Sequence, residues 1–451
     1  MRNTIVHQQS LVPRVDHPHA EELRKMSEVL DELPELVGAV HEDLIRGVRN
    51  PNRGRRGLAA EQVLRILIVK QIRQFSYAQL RFELASSWAY QSFCRLDPND
   101  AVPQETTLQR NIRRIRPETL ETILQSVVRY AVEQGVEKGR RVRTDCTLEE
   151  STIHQPSDSS LLYDSVRVIT RLMVKARNVV EAISFVNHTR KAKRRAKAIL
   201  HARRMEKRRP LYKDLIAVTR QCIADAETAE GLLLGNLSDT PHIYRACGIA
   251  SELRHFRNLA TRVLDQTVRR VIQGESVPVA DKIVSIFETH TDILRKDRRE
   301  TYYGHKLCLT TGESGLVLDI QVLRGNPADS QLAVEAIKRL EPTLGTLPRQ
   351  VSFDGGFASQ ANLKALKDEL QIDDVAFHKK CGLSVSEMTR SDWIYRSLKR
   401  FRAGVESTMS FLKRCFGIDR CTWKGWDAFR SYTLASSLAH NLLLTARLLL
   451  R

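Results

Sequence analysis

The sequence predicts an α/β protein in which the strand-bearing part follows a group of short helices and is interrupted by a long helical block. Three patterns predict this class. Apolar residues recur at helical spacing across residues 58–135, and strand patterns appear at 140–147 and again from 302 onward. Between the two strand regions, from Ser157 to about Thr301, strand signals are few. A chain of 451 residues is also long enough for two or three domains with separate cores.

The domain boundaries follow changes in pattern along the chain. A basic Gly/Pro stretch, "NPNRGRRG" (50–57), is typical of a linker and marks the first boundary. The predicted parts are an N-terminal segment 1–54, an all-helical domain 55–138, a strand-bearing domain built from 139–157 and 301–451, and a basic helical insertion 158–300.

The charge of the chain indicates a polyanionic partner. Lys and Arg number 72 against 53 Asp and Glu, which gives a formal net charge of +19. A positive field of this size favours polyanions, and nucleic acid is the commonest of them. The alternative is a basic protein that has no specific anionic partner.

Cysteine spacing and hydropathy exclude several other classes of protein. The eight cysteines form no CxxC pair and have no His nearby at finger spacing, so a zinc module is not expected. Scattered thiols fit a reducing cytosol. The N-terminus lacks a signal-peptide core, and "LLLTARLLLR" near the end is broken by Thr445 and Arg447. We therefore expect a soluble bacterial protein of the cytoplasm, associated with the nucleoid and not with a membrane.

The helices of 55–138 read as a helix-turn-helix type of unit. The second helix begins after Ser76 as its N-cap, and a fourth begins at Pro117 and closes at Gly135. The third helix, in "PQETTLQRNIRRIRP", is predicted to have Thr106 or Thr107 as its N-cap.

The third helix has the composition of a DNA-recognition helix. Such a helix reaches base edges and phosphates from one groove. A solvated basic face is the alternative. The candidate DNA-binding residues are Gln109, Arg110, Arg113 and Arg114.

The helical insertion carries a strongly basic helix, "TRKAKRRAKAILHARRMEKRRP" (189–210). Between 190 and 209 there are eleven Lys or Arg residues and one acid. Charge runs usually form solvated faces. Because this run would repel itself, we favour a contact with the DNA backbone.

Three acids stand where an α/β sheet can bring them together. Asp145 ends the strand in "RRVRTDCT", and Asp354 ends the strand in "RQVSFDGGF" before a Gly-Gly turn. Glu406 lies on a later helix that presents one polar face. That face carries Lys399, Arg402, Glu406, Ser410 and Lys413.

A set of separated carboxylates suits cleavage of a phosphodiester. The two-metal route needs hard oxygen ligands for two Mg²⁺ ions about 3.5–4 Å apart. Each acid also has an ordinary explanation: a strand-end Asp, an Asp-Gly turn, and a Glu paired with Arg402 four residues away. Rival acids nearby are Glu149, Glu150, Asp319, Asp373 and Asp374.

Several short motifs together resemble the DDE transposases of bacterial insertion sequences, in the broad IS5/IS1182-like and ISNCY groups. The basic stretch "RFRAGVESTMSFLKR" fits the R-x3-E-x6-K part of the family signature at Arg402, Glu406 and Lys413. The resemblance runs from about residue 55 to the end of the chain. The other matching stretches are "RTDCT" (143–147), "YYGHKLCL" (302–309), "RGNPADS" (324–330) and "SFDGGF" (352–357).

The resemblance implies an RNase H-like catalytic domain, split here by the helical insertion and preceded by a DNA-end-binding domain. It implies that Asp145, Asp354 and Glu406 are the catalytic acids and hold two Mg²⁺ ions, with Mn²⁺ as a substitute. It also implies that Arg402 and Lys413 contact DNA phosphates.

The chain departs from the family signature at one position. The signature often has a Tyr three residues before the Arg, and Lys399 stands there. We also include Lys399 among the candidate DNA-binding residues. The strands from 302 onward are predicted to form a hairpin that turns at "TGESG" (311–315). His305 and Lys306 are further candidates for orienting a phosphate or a terminal base, with packing of the His against this hairpin as the alternative.

The resemblance implies a transposase that binds terminal inverted repeats, cuts the element ends and joins the freed 3′-OH to target DNA. Paired ends imply a homodimer or larger assembly on double-stranded DNA. The alternatives are a domesticated nuclease that cuts without joining, and a DNA-binding regulator derived from a transposase.

Overall fold

A computed structural model describes residues 2–6, 13–51, 53, 57–235, 243–296, 300–379 and 381–451. The predicted boundary at 50–57 therefore lies partly outside the described residues. The chain divides into two compact units. The sheet unit comprises 1–152 and 294–451, and the helical unit comprises 153–293.

Among the residues that the structure describes, seven helices precede the first strand, and they belong to the same compact unit as the strands. The predicted helix starts at Ser76 and Pro117 are confirmed, because the Ser76 hydroxyl accepts from the N–H of Gln79 and Pro117 is the first residue of its helix. The first two helices, which the sequence does not predict, bury Leu23, Met26 and other apolar residues in the core. The helices are α1 (Pro18–Asp31), α2 (Glu35–Ile45), α3 (Ala60–Arg73), α4 (Tyr77–Ser86), α5 (Trp88–Cys94), α6 (Glu105–Ile112) and α7 (Pro117–Glu133).

The predicted N-cap of α6 at Thr106 or Thr107 is wrong. The cap is Gln104, whose extended backbone directs its carbonyl to the N–H groups of Thr107 and Leu108 at 2.8 and 3.0 Å. Glu105 then occupies the first helical position, where a negative charge suits the helix dipole. The helix begins as soon as the chain has passed Pro103.

The first strand, β1 (Arg141–Glu150), is longer than predicted and does not end at Asp145. It pairs with an antiparallel neighbour from Arg143 through Glu150, whereas its parallel neighbour pairs only as far as Thr144. Asp145 is therefore the first β1 residue beyond the parallel ladder.

The helical unit packs its helices around their own apolar core, which includes Leu162, Ile169, Leu215 and Leu253. Its helices are α8 (Asp158–Arg177), α9 (Thr189–His201), α10 (Met205–Gly235) and α11 (Ile243–Thr267), with a π-helical turn Val268–Gln273. The prediction that helix continues to about Thr301 is wrong. Gly274 ends it with a φ of +77°, a conformation that favours glycine, and Pro278 follows shortly afterwards.

The remaining elements return to the sheet. The strands are β2 (Asp292–Lys296), β3 (Glu300–Thr311), β4 (Val317–Val322), β5 (Gln350–Phe353) and β6 (Asp374–Phe377). The helices are α12 (Ala333–Lys338), α13 (Glu341–Leu344), α14 (Gln360–Lys364), α15 (Val385–Met388), α16 (Asp392–Phe416) and α17 (Trp426–Leu449).

The six strands form one mixed sheet in the order β2-β3-β1-β5-β6, and β4 also pairs with β3. The pairs β1–β3 and β3–β4 are antiparallel, whereas β1–β5 and β5–β6 are parallel. This confirms the α/β class and the predicted hairpin between β3 and β4. No helix in the described ranges is long and apolar enough to cross a membrane.

Two long helices connect the sheet to the N-terminal helices. The helix α16 crosses β1, β5 and β6, while α17 packs against α1, α3 and α7. Asn441 of α17 brackets the backbone of Val317 in β4, with hydrogen bonds of 2.9 and 2.8 Å. Gln74, at the end of α3, donates to the carbonyl of Phe416 and accepts from the Tyr432 hydroxyl. These contacts fix the ends of α3, α16 and α17 to one another.

Candidate active site

Asp145 and Asp354 lie side by side because of the strand register. Thr144 of β1 pairs with Phe353 of β5; Asp145 is the next residue of β1, and Asp354 directly follows the last residue of β5. Successive side chains on a strand point to opposite faces. The two acids therefore emerge at the same end of the parallel ladder, where β5 stops and its Gly-Gly turn begins.

Glu406 reaches the same place because α16 is anchored across β1. Its apolar stripe, which includes Val405 and Leu412, is buried. The guanidinium of Arg143 donates to the carbonyl of Phe401 at 2.8 Å and lies 4.5 Å from the centre of its ring. At Gly404 a Cβ atom would stand 1.9 Å from Nη1 of Arg143, so a side chain there would displace this guanidinium.

The three candidate acids converge on the guanidinium of Arg402. Its Nη1 lies 3.2 Å from Oδ2 of Asp145 and 3.8 Å from Oδ1 of Asp354. Its Nη2 lies 2.8 Å from Oε1 of Glu406. One cation therefore bridges carboxylates that come from β1, from the turn after β5 and from α16.

Burial differs sharply among the members of this cluster. The Arg402 side chain is 10% exposed and that of Asp145 is 17% exposed, whereas Asp354 is 43% and Glu406 62% exposed. Burial raises the pKa of Asp145 to about 6; the Cys146 N–H and Arg402 lower it, and Asp354 raises it. Asp145 therefore lies at the buried side of the cluster, and Glu406 lies at its solvent-exposed side.

The donor set suits a hard divalent cation, because carboxylate oxygens are the ligands that Mg²⁺ prefers. Three carboxylates around one cationic group also form a site that already favours positive charge. Among the residues that the structure describes, no three His, Cys, Asp or Glu side chains stand close enough to share one metal ion. The carboxylates instead share Arg402.

A fourth acid that the sequence did not single out stands next to this cluster. Asp329 lies in the "RGNPADS" stretch, and its carboxylate raises the pKa of Asp145. Lys306, a predicted site residue, holds Asp329 at 2.5 Å and donates to the carbonyl of Pro327 at 2.7 Å. A Cβ at Gly356 would stand 2.6 Å from Asp329, so the turn after Asp354 packs closely on it. The "RGNPADS" motif was the sequence feature that could have pointed to Asp329.

His305 lies in the core and not at the surface. It is fully buried, with its ring centre 4.8 Å from those of Trp426 and Phe429. This placement favours the packing alternative for His305.

The rival acids have structural partners. Asp319 binds Arg339 and Asp374 binds Arg390, at 2.8 and 2.7 Å. Asp373 lies 3.8 Å from the same Arg390, and the backbone of Glu150 pairs with that of Asp419 and Cys421.

Glu149 is on the same face of β1 as Asp145, but it is fully buried and accepts from the Thr433 hydroxyl at 2.6 Å. Burial raises the pKa of Glu149 to about 8, while Thr433 and Lys413 lower it. The raised pKa favours the protonated, uncharged form of this acid at neutral pH.

The other predicted DNA-binding residues are spread over the sheet unit. Lys399 is exposed on α16, and Lys413 lies 3.6 Å from Asp419. Gln109 and Arg110 are exposed in the second half of α6. Because α6 ends at Ile112, Arg113 and Arg114 follow the helix, and their guanidinium groups donate to backbone carbonyls at Lys424 and Arg46, respectively.

The helical unit has a basic surface on α9. Lys191 and Arg195 both pair with Asp214. Four other cations recur at i, i+3, i+4 and i+7 opposite buried Ala192 and Ile199, are exposed, and have no acidic partner among the described residues. We call them the cationic face: Arg190, Lys193, Arg194 and Lys197.

Two family models match the chain. A model described as the transposase DDE domain matches residues 281–442, and one described as a transposase domain (DUF772) matches residues 8–114. The first match includes Asp354, Arg402 and Glu406, while Asp145 and the cationic face lie outside both. No curated protein and no solved structure matches the chain.

Proposed function

We propose that this chain, which matches the transposase DDE domain over residues 281–442 and a transposase domain (DUF772) over residues 8–114, is a DDE transposase of a bacterial insertion sequence that cuts DNA at the ends of its element and joins the freed 3′-OH to target DNA. The observation that carries this proposal is the convergence of Asp145, Asp354 and Glu406 on one guanidinium. Carboxylates from three distant segments meet at one partly exposed place on the sheet.

The strand arrangement supports an RNase H-like sheet unit. An antiparallel group of β4, β3 and β1 continues into parallel β5 and β6. The candidate acids stand where the parallel ladder between β1 and β5 ends. In open sheets with parallel strands, sites form at such ends.

In the proposed reaction Asp145, Asp354 and Glu406 would hold two Mg²⁺ ions, for which Mn²⁺ would substitute. Bound ions of this kind lower the pKa of an attacking water and neutralise charge on the leaving oxygen. Asp145 fixes the buried side of the site, since its Oδ1 already accepts from the Cys146 N–H at 2.8 Å. Lys399 and Lys413, on the polar face of α16, would contact the phosphates on either side of the scissile bond.

DNA binding is proposed to use two surfaces with different roles. Exposed Gln109 and Arg110 of α6 would contact the terminal inverted repeats, where side-chain contacts to bases give specificity. The cationic face of α9 would neutralise phosphates without reading sequence. Joining two element ends to one target implies a homodimer or larger assembly.

A plasmid assay distinguishes this proposal from its alternatives. The substrate is a supercoiled plasmid that carries the gene with its natural flanking DNA, incubated with purified protein and Mg²⁺. We expect cuts at both ends of the element and joined products, both lost when Mg²⁺ is removed. Cuts without joining would instead show a nuclease, and binding without cuts a regulator.

The Glu406→Gln variant tests the site itself. It keeps the size of the side chain and removes its charge, so we expect cleavage to fall at least about a thousandfold while binding to the flanking DNA persists. Cleavage at the normal rate would remove Glu406 from the metal site.

A further inference from the structure

Arg402 stands where a metal ion would need to be. Each of the three carboxylates proposed as metal ligands lies within 4 Å of its guanidinium, at 3.2, 3.8 and 2.8 Å. The side chain is 10% exposed, so it fills the interior of the cluster and does not extend into solvent. Any divalent ion that takes these oxygens competes with this group for the same lone pairs.

The charges of the groups oppose simultaneous binding of Arg402 and a divalent metal pair by the three carboxylates. Three ionised carboxylates and one guanidinium leave the cluster negative, which keeps Arg402 in place. Two divalent ions would reverse that sign, and the guanidinium would then face like charge at close range in a partly buried setting. Arg402 and a bound metal pair therefore cannot both occupy the present arrangement.

In this position the guanidinium of Arg402 also lacks, in the part of the chain that the structure describes, a hydrogen-bond acceptor for one of its N–H groups. Its Nε is buried and has no hydrogen-bond partner among the described residues. A buried donor without a partner costs free energy. A phosphate group accepts from a guanidinium through two parallel hydrogen bonds, and such forked pairs are among the strongest polar contacts in proteins.

The position of Arg402 on α16 places it close to the helix face along which a DNA strand would dock. Lys399, Glu406 and Lys413 share its face of the helix, and Lys399 and Glu406 are exposed. A strand that lies along this face would therefore place phosphates beside the acid cluster. A long arginine side chain then needs only rotamer changes to exchange carboxylates for a phosphate.

We propose that Arg402 is a tethered cation that keeps divalent metal out of the acid site in the DNA-free protein and transfers to a DNA phosphate when a strand docks. Metal and DNA then bind cooperatively. Without DNA at the site the protein binds little metal, which limits cleavage of unrelated DNA. The inference rests on the proposed function for the identity of the site.

Mn²⁺ binding measured by the loss of its free-ion electron paramagnetic resonance signal tests this directly. The variant is Arg402→Gln in the full chain without DNA, and the expected result is Mn²⁺ affinity at least about tenfold higher than in the native chain. The matched control is Arg400→Gln, which removes an equally charged, exposed side chain two residues away on the same helix. The control should bind Mn²⁺ like the native chain.

A second measurement needs no variant, so it also covers the case in which Arg402→Gln does not fold. The probe is a duplex of the flanking element end, already cut and blocked at its 3′-OH. We expect this duplex to raise Mn²⁺ affinity of the native chain at least about tenfold, and Mn²⁺ to raise duplex affinity by the same factor. In Arg402→Gln the duplex should change Mn²⁺ affinity much less.

The outcomes separate this inference from the proposed function. If the native chain binds Mn²⁺ equally well with and without the duplex, or if Arg402→Gln binds it no better than the native chain, the tethered-cation role is wrong and the metal site stands. If no form binds Mn²⁺, or if binding survives Asp145→Asn, the proposed metal site is wrong as well.

Discussion

In the sheet unit three carboxylates share one guanidinium within 4 Å, whereas in the helical unit the four residues of the cationic face are exposed and have no acidic partner in the part of the chain that the structure describes. The acid site draws on β1, the turn after β5 and α16, so each of its members comes from a different segment of the chain. The cationic face repeats one kind of contact along one helix. Chemistry on a phosphodiester requires the first arrangement, while holding a polyanion requires only the second.

This difference predicts unequal sensitivity to substitution. The loss of one carboxylate should abolish a function that depends on the whole set. The loss of one cation should remove one phosphate contact among several. Equal responses of the two regions to such substitutions would mean that they do not differ in this way.

The largest effect is expected from Asp145→Asn, matched with Glu149→Gln. Both remove an acid from the same face of β1 without changing its size. We expect Asp145→Asn to lower metal-dependent cleavage at least about a thousandfold, because it removes charge at the buried side of the site. Glu149→Gln should cleave normally, since the raised pKa of Glu149 favours its uncharged form at neutral pH. Cleavage lost equally in both would mean that the site extends to Glu149.

The second effect concerns the stability of Glu149→Gln as a function of pH. Burial raises the pKa of Glu149 to about 8, against about 4.3 in an unfolded chain. Between these values the unfolded carboxyl loses its proton and the folded one keeps it, so this residue lowers stability as pH rises. The free energy of unfolding of the variant minus that of the native chain should therefore rise by about 1.4 kcal/mol per pH unit up to about pH 8 and then level off.

Urea unfolding at pH 5 to 9 measures this difference. Its control is Glu150→Gln, at the neighbouring β1 position, where burial is only partial. A flat difference for Glu149→Gln would mean that Glu149 is ionised in the folded protein. It would then be a charged rival to the proposed site.

A smaller effect is expected from the cationic face. Replacing Arg190, Arg194 and Lys197 together by Gln should reduce the slope of log affinity against log salt by up to about three on duplex DNA of unrelated sequence. Lys193→Gln alone should reduce it by about one or less. Fluorescence anisotropy at several salt concentrations checks both, and neither variant should lose metal-dependent cleavage at low salt.

The matched control removes three other exposed cations of the helical unit, at Arg220, Arg245 and Arg262. It changes the net charge equally, so an equal change in slope would mean that overall charge and not the cationic face of α9 binds DNA.

The sequence predicted much of the secondary structure, since the signals for it are local. The Ser76 cap, the Pro117 start and the β3–β4 hairpin follow from residues only a few positions apart. The predictions were wrong where the length of an element depends on how it pairs or packs with remote segments. The strand β1 continues past Asp145 because β3 continues to pair with it, and the helical block ends at Gly274 before the sheet resumes.

The site residues show the same division. The acids and the basic stretch around Glu406 were visible as motifs, whereas the roles of Arg143, Asp329 and Gly404 follow from packing between separate segments. For His305 the sequence left both a phosphate-orienting role and packing open, because its burial depends on Trp426 and Phe429, more than a hundred residues later.

By itself the sequence determined the elements, the positive charge and the set of candidate acids, because periodicity, caps and composition are properties of neighbouring residues. Only the tertiary structure decided that Arg402 meets Asp145 across 257 positions of chain, and that Glu149 is buried while Glu406 is exposed. The physical reason is that charge in a protein is set by distance and burial, and both arise only when strand register and helix packing bring remote segments together.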